Sequence, residues 1–141
     1  MISTDCLRTL SGLILLIIMP LGHAQSLPTL PEDDNQLAYE IYKELIETNT
    51  TDSAGDNTLA AEKIARWLSA AGFPQEDIFV GGKKEKKGNL VARLHGTGAN
   101  KPFILLAHLD VVEAKRSDWT MDPFTLHETD GYFYGRGTMD D

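Results

Sequence analysis

Phe103-Ile104-Leu105-Leu106-Ala107-His108-Leu109-Asp110 is the stretch on which the fold of this chain turns. Its first five residues are apolar without alternation, the pattern of a strand buried on both faces inside a sheet that helices cover. Such a strand delivers His108 and Asp110 to its carboxyl end, where ligands collect in α/β sheets. At strand spacing the two side chains project to the same side, so the Asp110 carboxylate can hold the second ring nitrogen of His108 and fix the tautomer a metal needs. Further on, Gly135-Arg136-Gly137 leads into Asp140 and Asp141. The two glycines allow an unusual backbone path that aims Asp140 inward, and the two adjacent carboxylates repel each other, which a dication would relieve. Neither half is specific alone, since a His-x-Asp or a glycine turn with an acidic end is common in structural roles.

Outward from this stretch, the chain reads as helix, helix, then an expanding mixed sheet. Leu37, Ile41 and Leu45, with Tyr42 and Ile46 beside them, form the stripe of an amphipathic helix ending near Thr48, with Asp33, Asp34 and Asn35 as capping candidates. After a polar loop over 49–58, Leu59, Ile64, Trp67, Leu68 and Ala71 give the apolar face of a second helix. Asn57 or Thr58 can cap it, Gly72 suits its left-handed end, and Pro74 prevents continuation. Strands are expected over 78–80, 89–94 and 103–107, and Asp130-Gly131 predicts a tight hairpin between Phe124-Thr125-Leu126 and Tyr132-Phe133-Tyr134. The fold class is therefore α/β, with a mixed sheet flanked by helices.

Composition excludes several functions. The chain has 141 residues and a net charge of −8, which suits one soluble domain and argues against a nucleic-acid partner. Its basic cluster, Lys83-Lys84-Glu85-Lys86-Lys87, has no interleaved aromatics and reads as a solvated hairpin. Leu10 to Met19 is an apolar run too short to span a membrane comfortably, and Gly22-His23-Ala24 offers the small residues of a cleavage site. Residues 1–24 are thus expected to be a signal peptide and 25–34 a leader, giving a periplasmic or extracellular protein without stable membrane insertion after cleavage. The single cysteine, Cys6, would leave with the signal, so metal binding must rest on His, Asp and Glu. His127 beside Glu128 reads as solvated hairpin, His95 as structural, and Asp52 to Asp56 as a capping loop lacking the calcium-loop pattern. Asn49-Thr50-Thr51 fits a glycosylation sequon.

Taken in order, Gly88-Asn89-Leu90-Val91, His108-Leu109-Asp110-Val111-Val112, Trp119, Asp122-Pro123-Phe124, Asp130-Gly131 and Tyr134-Gly135-Arg136-Gly137-Thr138-Met139-Asp140-Asp141 resemble the first metal-binding half of the M20 metallopeptidase family. That family includes carboxypeptidases, dipeptidases and aminoacylases. The resemblance covers essentially the whole chain after residue 24 and makes 35–141 the N-terminal part of an M20-like catalytic domain, truncated. It implies that His108 ligates one zinc, that Asp110 is the catalytic residue orienting the His108 ring, and that Asp140 bridges two zinc ions. It also implies a cis peptide bond at Asp140-Asp141.

By the same resemblance the reaction is zinc-dependent hydrolysis of an amide bond in small peptides or N-acyl amino acids, with a glutamate as the proton carrier. In the family that glutamate, the remaining ligands and a domain that mediates homodimers lie further downstream. The 141-residue chain alone is then expected to be inactive and to bind zinc weakly. Two other readings use the same residues: a non-catalytic exported binding module that takes a ligand on the aromatics from Trp119 to Tyr134, and a deacylase for non-peptide amides.

Overall fold

The computed structural model describes residues 31–139. The expected signal peptide, and with it Cys6, lies outside the described residues. Helix α1 runs over Glu32–Ile46 and α2 over Asn57–Ala70. Strands β1 (Ile78–Gly81) and β2 (Asn89–Ala92) form one antiparallel pair, and β3 (His127–Thr129) and β4 (Tyr132–Tyr134) form another. Among the described residues no helix is long and apolar enough to cross a membrane.

Helix α1 starts one turn earlier than its apolar stripe. Glu32, Asp33 and Asp34 occupy its first turn, where their charge meets the unpaired N–H groups, and Lys43 lies in its last turn. The expected side-chain cap is not used: Pro31 stands at the cap position, and its carbonyl accepts from the Asn35 N–H at 3.0 Å. For α2 the cap is Asp56, whose extended backbone lets its Oδ1 accept from the Leu59 N–H at 2.9 Å. Asn57 and Thr58, the candidates from sequence, are helical. Thr58 is diverted to the β1–β2 turn, where its hydroxyl donates to the Glu85 carbonyl and accepts from the Gly88 N–H at 2.8 Å.

The helices meet around Glu44. Its carboxylate accepts from the Trp67 indole at 2.6 Å and the Arg66 guanidinium at 3.2 Å, while Lys63 donates to the Thr48 hydroxyl at 2.8 Å. Ile46, Ala60, Ala61 and Ile78 form the buried apolar core, where α2 lies against both helix α1 and the first strand pair. The second strand pair docks on α1 through Phe133, whose ring centroid is 5.9 Å from that of Tyr39 and 5.4 Å from that of Tyr42.

The α/β character stands, but the sheet differs from the expected one. Instead of a single expanding mixed sheet, the described residues form two separate two-stranded antiparallel sheets. Residues 103–107 belong to no strand, and Phe103, Ile104, Leu105 and Leu106 are 82%, 88%, 88% and 94% exposed. A strand with no polar face needs ladder partners and cover on both faces. Among the described residues neither is supplied, so the apolar run stays outside any strand and uncovered. In the second hairpin the Asp130-Gly131 turn forms as expected, with φ of 54° and 78°, the two positive values of a type I′ turn. Its first strand begins at His127, beyond the Phe124-Thr125-Leu126 run expected there.

Candidate metal centre

His108 sits half-exposed just past the apolar run. Its Nδ1 lies 2.8 Å from the Asp110 main-chain carbonyl and 3.6 Å from the Asp110 Oδ1. The contact expected between ring and carboxylate is therefore present, but the carbonyl is the nearer acceptor. A strand ladder would have engaged that carbonyl, and this segment has none. Either acceptor selects the tautomer with hydrogen on Nδ1, which leaves the ring lone pair on Nε2. Asp140, and with it the Asp140-Asp141 bond, lies outside the described residues. Among the described residues no three His, Cys, Asp or Glu side chains cluster as a metal site.

The turn over 135–139, which leads to Asp140, is held from several sides. The Arg136 N–H donates to the Pro123 carbonyl at 2.7 Å, and the Thr138 hydroxyl donates to the Gly135 carbonyl at 3.1 Å. From α1, the Tyr42 hydroxyl donates to the Thr138 carbonyl at 3.0 Å. Burial raises the Tyr42 pKa above its ordinary 10.0, and a side-chain hydrogen bond with Thr138 opposes that rise only in part. Gly137 has φ +93°, and a Cβ there would meet Val111 Cγ1 at 3.0 Å. The residue after Asp110 thus packs directly on the turn that carries Asp140.

A second set of contacts joins the 49–58 loop to the same region. The Glu113 carboxylate accepts from the Ser53 N–H and hydroxyl, both at 2.9 Å. Asp52 takes the Lys87 ammonium at 3.0 Å, and that hydrogen-bonded cation holds its carboxyl below the usual range. Asp52, Asn57, Lys87, Gly88, Asn89 and Asp110 line a polar hollow of about 300 Å³ that is open to solvent. A larger one, about 540 Å³, opens between α2 and β1, away from His108.

With Asp52 paired to Lys87 and Asp56 spent on the helix cap, the loop's acidic residues already have the roles a capping loop requires. Lys87 departs from the solvated reading of its cluster. His95 is structural in its contacts, with Nε2 2.9 Å from both carboxylate oxygens of the buried Asp77. His127 corrects an expectation: it is half-buried rather than solvated, and its Nε2 is buried without a hydrogen-bond partner among the described residues. At Asn49 the side-chain oxygen accepts from the Thr51 N–H and hydroxyl at 3.0 and 2.8 Å, and Thr50 and Thr51 are buried.

Sequence comparison bears on the same residues. The model of peptidase family M20/M25/M40 matches 104–141, the span from His108 through the glycine turn. The N-fatty-acyl-amino acid synthase/hydrolase PM20D1 of Xenopus tropicalis is 31% identical over 163 aligned residues, covering 99% of this chain and 31% of that protein. The acetylornithine deacetylases of Pasteurella multocida and Proteus mirabilis are 36% and 39% identical, each over 72% of this chain and 27% of the relative. The chain belongs to the M20 peptidase family. It spans under a third of the length of these M20 relatives. The residues missed by sequence reasoning were Ser53, Glu113 and Tyr42, whose partners lie 60 and 96 positions away and leave no local signal.

Proposed function

We propose that this chain supplies the first ligands of a zinc-dependent amide hydrolase that acts on N-acyl amino acids or small peptides. The observation that carries the reading is the contact between Val111 and the Gly137 position, which sets the His108–Asp110 segment against the turn leading to Asp140. Family membership supports it, as do the substrates in the names of the relatives, a fatty-acyl amino acid and acetylornithine. The donor types fit zinc: an imidazole with Nδ1 already engaged, and carboxylates.

In this reading His108 and Asp140 would hold zinc, and Asp110 would keep the His108 ring in the matching tautomer. Bound zinc would polarise the amide carbonyl and activate water. Export through the segment before residue 25 completes the proposal, as does homodimer formation in the full gene product.

The test compares zinc affinity and amide hydrolysis for the product of the complete reading frame and for the 141-residue chain. Zinc should bind the 141-residue chain weakly, and His108→Ala and Asp140→Asn should each weaken it further. N-acetylornithine or an N-acyl amino acid should be hydrolysed by the complete product alone. Zinc affinity unmoved by both substitutions would overturn the metal assignment. Turnover by the 141-residue chain above its His108→Ala control would overturn the claim that it is inactive alone.

A further inference from the structure

The geometry points to Arg136 as the positioning residue that holds the Asp140 turn against the His108 segment, a deeper step that rests on the zinc reading above. Three contacts converge on it. Its guanidinium carbon lies 5.1 Å from the centroid of the Trp119 ring, within cation–π range. Its Nη2 donates to the Glu113 carbonyl at 3.4 Å. Its own N–H is bound by the Pro123 carbonyl at 2.7 Å.

Each partner belongs to the segment between His108 and the turn, so Arg136 closes that segment into a loop at its base. The loop is anchored in turn, because the Glu113 side chain is fixed by Ser53. The side chain is committed inward: its Nε is buried with no hydrogen-bond partner among the described residues. A buried, unpaired guanidinium nitrogen is costly, and it is tolerated where stacking and the remaining donors hold the group. Arg136 acts through the backbone of its own turn, four residues before Asp140, and through Glu113, three residues after Asp110.

The experiment uses the 141-residue chain with zinc alone as the probe, and reads two quantities. The first is the nuclear Overhauser contact between the Val111 methyls and the Gly137 α-protons in the metal-free chain. The second is zinc affinity by chelator competition. Arg136→Ala should lose the Val111–Gly137 contact and weaken zinc by about 10- to 100-fold, the usual effect of removing a residue that orients ligands. Trp119→Phe, which keeps an aromatic face, should retain the contact. The contact between the Trp67 indole and Glu44, remote from the turn, should persist in both and reports that the helices remain folded. If Arg136→Ala unfolds them, Arg136→Lys replaces it. Lysine keeps the charge without the planar fork, so a folded Lys variant should also lose the contact. Persistence of the Val111–Gly137 contact in a folded Arg136 variant overturns the proposal. If the contact is lost while His108→Ala leaves zinc affinity unchanged, the positioning role stands and the zinc reading fails.

Discussion

Gly137→Ala is the substitution whose outcome follows most directly from the geometry. Gly137 sits at φ +93°, and the added Cβ would lie 3.0 Å from Val111 Cγ1 and 3.6 Å from Ile46 Cδ1. Two costs combine. The left-handed backbone costs a residue with a Cβ roughly 1–2 kcal/mol. Forcing a methyl into occupied space costs about 1–3 kcal/mol more. Gly72 provides the control, because its φ is +90° and nothing lies within 4 Å of a built Cβ. Gly72→Ala therefore isolates the backbone cost, and the difference between the two variants isolates packing on Val111. The assay is urea unfolding followed by tryptophan fluorescence and far-UV circular dichroism, whose transitions should coincide if unfolding is two-state. Gly137→Ala should be about 1–3 kcal/mol less stable than Gly72→Ala. A double-mutant cycle with Val111→Ala should recover much of that difference, since it removes the opposing methyl. Equal destabilisation of the two glycine variants, with no coupling to Val111, would refute the claim that the His108 segment is packed on the turn.

Two further outcomes are expected. Tyr42→Phe should destabilise the chain by about 0.5–1.5 kcal/mol through loss of the bond to Thr138. Because folding raises the Tyr42 pKa, the unfolded chain ionises first, so stability present below the unfolded value of 10.0 should fall as pH rises above it. Urea midpoints measured through that alkaline range should decline more steeply for wild type than for Tyr42→Phe, and parallel declines would contradict the burial argument. Asp56→Ala should cost about 0.5–2 kcal/mol by uncapping α2, whereas Asn57→Ala should leave the cap intact. Helical circular dichroism and urea midpoints distinguish them, and a larger cap loss at Asn57 would return the cap to the residue expected from sequence.

What was legible in the sequence was what local chemistry determines. The stripe through Leu37, Ile41 and Leu45 announced α1, Gly72 and Pro74 announced the end of α2, and Asp130-Gly131 announced a turn that needs two positive φ values. The helix caps were misplaced by one residue or more because Asp56, Asn57 and Thr58 all have capping chemistry. The choice among them was made by the distant Glu85 carbonyl and Gly88 N–H, which claim Thr58. The run over 103–107 misled for a related reason. Its composition records the environment in which such a strand is stable, and that environment must come from other parts of a chain. His108 and Asp110 were found because they are two residues apart, while Ser53 and Glu113 were missed because only the fold brings them together.

The Ser53–Glu113 contact is one of several that order the His108 segment and the 135–139 turn. The 49–56 loop and the start of α2 hold two regions at once, the end of the β1–β2 turn and the segment after Asp110. Thr58 ties α2 to Gly88, the Thr51 and Asp52 carbonyls take the Lys87 ammonium, and Ser53 takes Glu113. Glu113 in turn meets Arg136, and Tyr42 of α1 meets Thr138. Each bond satisfies a backbone or side-chain group that would otherwise need water, so the loop is held by its own hydrogen-bonding requirements and not by apolar burial. A site assembled in this way depends on polar geometry more than on core volume. Substitutions at Ser53 and Glu113 should therefore disturb zinc affinity more than they disturb helix packing, the reverse of what is expected at Ala60 or Ala61 in the core.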